Sequence, residues 1–422
     1  MEIGLRFLLV PLVSLVWVSS QARESSFATL TEVNPRLTFT CKHEAMPTPT
    51  ADADLLFKYA RWLQKNNQLR RDEAVDAEVE RLYRIASEYG HSRANINLQN
   101  GAMRAQFKLR GAEHLRMSQQ LINYGVASGY YFVSIFLKQG VAGLHQDPDM
   151  ALRYLRKAAD EGSSQAQYEV GKKLQPISIA PAIALQMYRC AAEQGHGKAA
   201  LALGVHLQDE SKYRAALEAF QYGVAAGDET AAFFIEKGFR NPPISNSIYY
   251  LGQNNDADRA GRYEKIGRVL SNYSYANPRV SEINEIVPLP PAELPEWDGK
   301  LQWLEDRLAN IPPPTPNEAL VKQLADAKKL DPATGWPLPG SPAFSQADLF
   351  PQRSCTGQLC PTSGYWTNVE QLNARAMEAP VARYFEEGEM MPPVLMRRYQ
   401  RRHWPFSDRV SDTEEAVTWK LV

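Results

Sequence analysis

Five glycines recur at near-constant spacing, and the columns around them agree. Gly90, Gly129, Gly162, Gly195 and Gly227 are separated by 39, 33, 33 and 32 residues. Seven residues before each stand Tyr83, Ile122, Leu155, Tyr188 and Phe220, all large and apolar. Four after stand Ala94, Val133, Ala166, Ala199 and Ala231, and eight after stand Leu98, Leu137, Val170, Leu203 and Ile235. Offsets of four and eight fall on one helix face, so each glycine should close one helix and precede another. It supplies the positive φ of a helix C-cap, which a side chain with a Cβ resists. Ala158-Ala159, Ala191-Ala192, Gly171 and Gly204 fit close helix approach. Such a helix pair cannot bury its apolar face alone, but stacked neighbours can. The expected fold class is therefore all-α, an α/α solenoid of about five units over residues 53–240 with a curved surface suited to binding.

RCAAEQGHGKAALALG, residues 189–204, also contains the H-x-K spacing that begins a phospholipase D motif. That motif needs an Asp five residues beyond its lysine, and from Lys198 the position is Leu203. His196 follows its repeat glycine as His91 follows Gly90. A turn position explains both histidines, and the catalytic reading fails.

The first residues, MEIGLRFLLVPLVSLVWVSSQA, carry Arg6, an apolar run from Phe7 to Val18 and then small residues. The run is short for a membrane span and fits a signal peptide, residues 1–20, with cleavage after Ser20 or Ala22. The first cysteine, Cys41, lies too far on for lipidation. A soluble periplasmic protein is expected. Lys+Arg of 47 against Asp+Glu of 48 gives a net charge of -1, which leaves no global field for nucleic acid or anionic membrane.

In an oxidising compartment the four cysteines, Cys41, Cys190, Cys355 and Cys360, allow three full pairings. Cys355 and Cys360, in SCTGQLCP, are expected to form a local disulfide. The alternative, a metal site, lacks a second pair or a nearby histidine to complete a tetrahedral set. Cys41 and Cys190 either pair or stay as buried thiols, and the sequence does not decide.

RKAADEG and RCAAEQGH resemble the Sel-one-like repeat family, whose units end in an aromatic-rich helix followed by A-A-E-Q-G. ASEYGH, VASG and VAAG are degenerate versions. Three further segments resemble one group of bacterial proteins with these repeats. They are TFTCKHEAMPTPTADADLLFKYARWLQK (38–65), ANPRVSEINEIVPLPPAELPEWDG (276–299), and CPTSGYW with RYFEEGEMMP. That group includes immunity proteins against type VI secretion lipases, especially phospholipase D-like effectors of the periplasm. The resemblance implies a protein partner, the cognate phospholipase effector, with no catalytic residues and no cofactor. In some relatives another cysteine follows the Trp of CPxSGxW, whereas here Trp366 is followed by Thr367 and Asn368. A disulfide scheme is therefore not carried over.

Beyond residue 240 the composition changes. DADRAGRYEKIGRVLSNY reads as one more amphipathic helix on Tyr263, Ile266 and Leu270. Between Val287 and Pro342 lie 12 of the 28 prolines, so helix is confined to islands such as LQWLEDRLAN and EALVKQLADAKKL. With Trp297, Trp303 and Trp336 interleaved, residues 241–345 read as a segment wrapping back over the solenoid; a proline-rich docking strip is the sharper alternative. Residues 21–52 read as an extended lead-in. Residues 346–422 read as a small α+β unit, with a hairpin turning near Gly388 and AVTWKLV as a closing strand. Arg397, Arg398, Arg401, Arg402 and Trp404, with Tyr399 and His403, form the strongest basic cluster. A solvated face is the plain meaning, a partner-contact patch the next, and a nucleic-acid site conflicts with export.

There is no G-x-S-x-G, S-x-x-K, P-loop or H-E-x-x-H, and the seven histidines are dispersed. The expectation is a binder rather than an enzyme: a periplasmic immunity protein that inhibits its effector stoichiometrically. A non-inhibitory periplasmic scaffold is the alternative, followed by an envelope hydrolase.

Overall fold

The computed structural model describes residues 38–175, 180–245, 248–344, 353–361, 364–368, 383–386, 388–400 and 409–421. Residues 1–20, the expected signal peptide, lie outside them. The solenoid is helical throughout. α1 (Ala51–Asn66) precedes five helix pairs. These are α2 (Glu73–Glu88) with α3 (Ser92–Met103), α4 (Gly111–Asn123) with α5 (Ser128–Gln139), and α6 (Pro148–Asp160) with α7 (Ser164–Leu174). α8 (Pro181–Glu193) with α9 (Gly197–Asp209) and α10 (Tyr213–Ala225) with α11 (Glu229–Phe239) complete the series. α12 (Ala257–Asn272) packs on α11, with Tyr263, Ile266 and Leu270 all buried.

The aligned columns are the core. Tyr83, Tyr188 and Phe220 are fully buried, as are Ala94, Ala166, Ala199 and Ala231 from the facing helices. The close approach is real at Gly204, where a Cβ would stand 2.4 Å from the Phe220 ring.

One register assignment needs correction. Gly129 lies inside α5, and the left-handed turn residue of that unit is Gly125, at φ 73°. A Cβ on Gly129 would sit 2.6 Å from the Ser118 carbonyl oxygen. Gly129 therefore occupies the small-residue column of Ala94 and Ala166. It is needed for helix contact, not for a turn.

The residue after each repeat glycine has a shared task. His91, Ser163, His196 and Asp228 are the N-caps of α3, α7, α9 and α11. The Nδ1 atoms of His91 and His196 each accept from an alanine N–H three residues on, at 3.1 Å. Both rings must be neutral to accept, and burial holds both below the usual histidine range. Burial, with the nearby Arg84 charge, also lowers His114 from 6.5 to about 4. In each case the unfolded chain takes up the proton first as pH falls. Stability should be intact above pH 6.5, the unfolded value, and fall progressively as the medium is acidified toward His114's folded value of about 4. Urea midpoints between pH 7.5 and 5 check this: His196→Asn, a cap that does not titrate, should flatten part of the slope.

After α12 come a 3-10 turn at Ser274–Ala276, α13 (Ile283–Ile286), α14 (Gln302–Ala309) and α15 (Glu318–Ala327). The proline-rich chain returns to the first repeat. Arg81 of α2 donates to the Pro332 carbonyl at 2.6 Å and pairs with Glu318 at 2.6 Å. The Tyr89 hydroxyl donates to the Leu324 carbonyl at 3.0 Å. Trp336 is stacked by Arg84 and Arg110, at 4.6 and 5.0 Å from the ring centre.

The C-terminal strands are β1 (Arg353–Cys355), β2 (Gly364–Asn368), β3 (Arg383–Phe385), β4 (Val394–Gln400), β5 (Arg409–Glu415) and β6 (Thr418–Leu421). One antiparallel sheet has the order β1-β6-β2-β3, and β4 pairs with β5. AVTWKLV thus supplies β6, an interior strand rather than an edge. The hairpin expected around Gly388 is not formed: β3 pairs with β2 and β4 with β5, while Gly388 turns the chain between them.

The local disulfide Cys355–Cys360 is not formed either; both residues are thiols. Cys355 is exposed at the end of β1, whereas Cys360 is buried in a cluster with Trp366, Met391 and Trp419. The disulfide present joins Cys41 to Cys190, with a Cα–Cα distance of 5.5 Å.

Candidate partner-binding surface

Two segments run along the edge where each unit turns from its first helix to its second. The first is the lead-in to α1. Lys42 accepts at its carbonyl from Gln167 at 2.9 Å, and Glu44 receives the Ser128 backbone N–H at the start of α5. Burial raises the Glu44 carboxyl above its usual range, partly offset by the Ser128 hydrogen bonds. The second is the stretch after α12, where the Val280 N–H donates to the Ala225 carbonyl at 3.0 Å. These crossings give the repeat glycines a second role beyond positive φ. A Cβ at Gly162 would meet the His43 carbonyl carbon at 2.6 Å, and one at Gly227 the Pro278 oxygen at 2.0 Å. The turn edge is thereby covered.

The opposite situation holds where the segment after α12 returns to α1. Asn310, in the left-handed conformation at φ 44°, ends α14 against α1. It accepts from Trp62 Nε1 at 3.0 Å and donates to Asn66 at 2.9 Å. Beside it lies a cavity of about 500 Å³, lined by Trp62, Lys65, Tyr273, Trp303, Leu308 and Ile311 among others. The Tyr273 and Trp303 rings meet edge to face at 5.7 Å, and Arg307 lies 5.4 Å from the Tyr275 ring centre. Leu308 is 65% exposed, Ile311 79% and Leu69 72%, so these apolar side chains stand in water at the rim. Leu69 and Tyr275 also line a second cavity of about 640 Å³, shared with Arg61, Asn97, Asn100 and Arg104.

The charge is one-sided. Arg61, Arg71 and Arg104 line one cavity, Lys65 and Arg307 the other, against the single carboxylate Asp306. Arg71 is neutralised by Asp76. Lys65 is held below the usual lysine range by burial and then by Arg61 and Arg307. A rigid aromatic shelf joined to a basic, amide-lined cleft can bind a protein segment; such anchors dominate interface energy.

Of these contact residues only Trp303 was named from the sequence for binding, in the alternative of a proline-rich docking strip. They come from residues 61–71, 97–104 and 273–311, and only the fold joins them. Leu308 and Ile311, apolar beside a helix end and a proline run, were the available signal. Of the basic cluster, Arg397 and Arg398 lie on β4, in register with Asp412 and Ser411 of β5. Arg401, Arg402 and Trp404 lie outside the described residues. Tyr83, Tyr154, Tyr188 and Tyr222 recur near the same repeat position; Tyr83 and Tyr188 are buried, Tyr154 is half-buried and Tyr222 is 44% exposed.

Among the described residues, the grouping of metal-ligating side chains is Cys41, His43 and Cys190, within 4.8 Å of one another. Its two sulfurs are spent in the disulfide. No described helix is long and apolar enough to cross a membrane.

One matched region contains the part of this surface contributed by residues 273–311. Residues 231–338 match the family model described as a domain of unknown function (DUF6396). No curated protein matches the sequence significantly. Among solved structures, the chain is similar to the immunity protein Pa5087 from Pseudomonas aeruginosa, at 27% identity and a TM-score of 0.46. That match covers 60% of this chain and 95% of the other. The immunity protein PA5088 from the same organism is similar at 24% identity and a TM-score of 0.48, covering 60% and 94%. A Sel1 repeat protein from Oxalobacter formigenes is similar at 18% identity and a TM-score of 0.35, covering 52% and 87%.

Proposed function

We propose that this chain is a periplasmic immunity protein that binds a cognate type VI secretion phospholipase effector and inhibits it stoichiometrically. The observation that carries the reading is the exposed aromatic and basic surface where α1 and α3 meet residues 273–311. The group of bacterial proteins resembled at residues 38–65 and 276–299 supplies the partner class, and the proposal extends the immunity role to this chain. The Cys41–Cys190 bond agrees with an oxidising compartment. Inhibition requires that the complex cover the effector's active-site mouth or its membrane-docking face, with an interface on the order of 1,600 Å².

The test is protection. Cells producing the lipase effector encoded beside this chain in their periplasm should survive when it is expressed with its first 20 residues and die when it is expressed without them. The two proteins should co-purify one to one. Continued killing with both proteins folded and no complex would sink the proposal and favour a scaffold. Lipid turnover by the purified chain alone would replace it with a hydrolase.

A further inference from the structure

The paired cavities allow a more specific statement, which rests on the reading of the chain as a partner-binding protein. We propose that they dock an acidic peptide segment of the partner, with a large apolar side chain on the Trp62–Trp303 shelf and carboxylates along Arg61 and Arg104. Three observations select this occupant.

The first is charge. Of the five cationic side chains lining the two cavities Arg71 is paired with Asp76, which leaves Arg61, Arg104, Lys65 and Arg307 against the lining acid Asp306, in a chain whose net charge is only -1. The excess is local. Arg61 has the neutral partners Gln64 and Tyr83, and Arg104 is exposed with no side-chain partner among the described residues. An acidic group entering here meets guanidinium groups still able to donate in pairs.

The second is the apolar rim. Leu69, Leu308 and Ile311 are each at least 65% exposed and surround rings already fixed by their own contacts. Trp62 is held by Asn310, and Trp303 by Tyr273 and Arg307, so the shelf exists before anything binds. A bulky side chain laid on it loses water without requiring the shelf to rearrange.

The third is the amide chemistry of the cleft lining. The side-chain amides of Gln68 and Asn100 hold no hydrogen bond among the described residues, and Asn97 and Gln106 stand beside them. Amides offer donors and acceptors together, which is what a peptide backbone presents. Phosphate oxygens accept only and would leave the amide oxygens unmatched.

The direct probe is a synthetic octapeptide of alternating aspartate and phenylalanine, titrated into the mature chain while tryptophan fluorescence is followed. Saturable binding is expected, with affinity at least tenfold lower for the asparagine-for-aspartate peptide. It should also weaken at least tenfold with Arg104→Glu or Ile311→Ser, two exposed sites whose folding is checked by circular dichroism, and as salt rises from about 0.05 to about 0.5 M. Equal binding of the two peptides, or none at millimolar concentration, overturns the proposal. So does a self-association, seen by sedimentation, that Ile311→Ser abolishes, because the shelf would then belong to a second copy of the chain.

The same variants separate this proposal from the immunity reading. If the unaltered chain protects cells and both variants protect equally, the docking site is wrong and immunity stands. If the unaltered chain binds the acidic peptide but fails to protect, immunity is wrong and the site stands.

Discussion

Arg84→Met should destabilise the chain by about 4 kcal/mol, although it replaces a charged residue by an apolar one of similar length. Arg84 is 1% exposed and lies between Glu80 and Glu113, which are 7% and 5% exposed. It bonds Glu80 at 2.9 Å and pairs with Glu113, and its remaining nitrogen donates to the Lys108 carbonyl at 2.7 Å. Without the guanidinium both buried carboxylates lose the cation that bridges them. That is the costly way to break a buried pair, because the desolvation is kept and the attraction is lost. Adding Glu80→Gln and Glu113→Gln should restore more than half of the loss. Urea unfolding of the three proteins measures this. A loss under about 1 kcal/mol would mean that water reaches these carboxylates.

The second large effect concerns the covalent tie. Replacing Cys41 and Cys190 by serine, or reducing the bond, should cost about 3 kcal/mol and lower Tm by roughly 5 °C or more. The bond closes a loop of 149 residues, so the unfolded chain regains much freedom when it is cut. The loss should also have a place. Residues 39–46 carry Phe39 and Met46 into the core of the middle repeats and set Glu44 against the start of α5. Limited proteolysis should therefore cut first near residues 38–50, with the helices intact. Calorimetry with and without dithiothreitol, followed by mass spectrometry of the fragments, tests magnitude and place together. Reduction that leaves Tm unchanged would show that the noncovalent contacts suffice.

The repeat was legible because each unit solves the same local problem. A left-handed glycine, small residues at helix crossings and large apolar residues between them are all constraints within about 35 residues, so they recur in phase. The slip at Gly129 is instructive for the same reason. Glycine serves both as a cap, as at Gly125, and as a point of close approach, as at Gly129, and one letter does not separate the uses. His196 was placed at a turn correctly, but its task as an N-cap emerges only from its bond to Ala199. The cysteines fail differently. Cys355 and Cys360 are close along the chain yet face water and core respectively, while the bonded pair are 149 residues apart. The candidate site was invisible for that reason as well. Trp62, Tyr275 and Ile311 become neighbours only once the chain has completed its circuit, a relation with no periodic trace in the sequence.

That circuit has a mechanical consequence. An open row of stacked helix pairs behaves as a spring, each joint bending a little and the end units fraying first. Here α15 and Trp336 hold the first pair, α12 holds the last, and Asn310 bridges back to α1. The spring has become a hoop. Bending at one joint must be compensated at another, so the pitch is set once for the whole molecule, and the terminal pairs, which would otherwise loosen first, are among the best held.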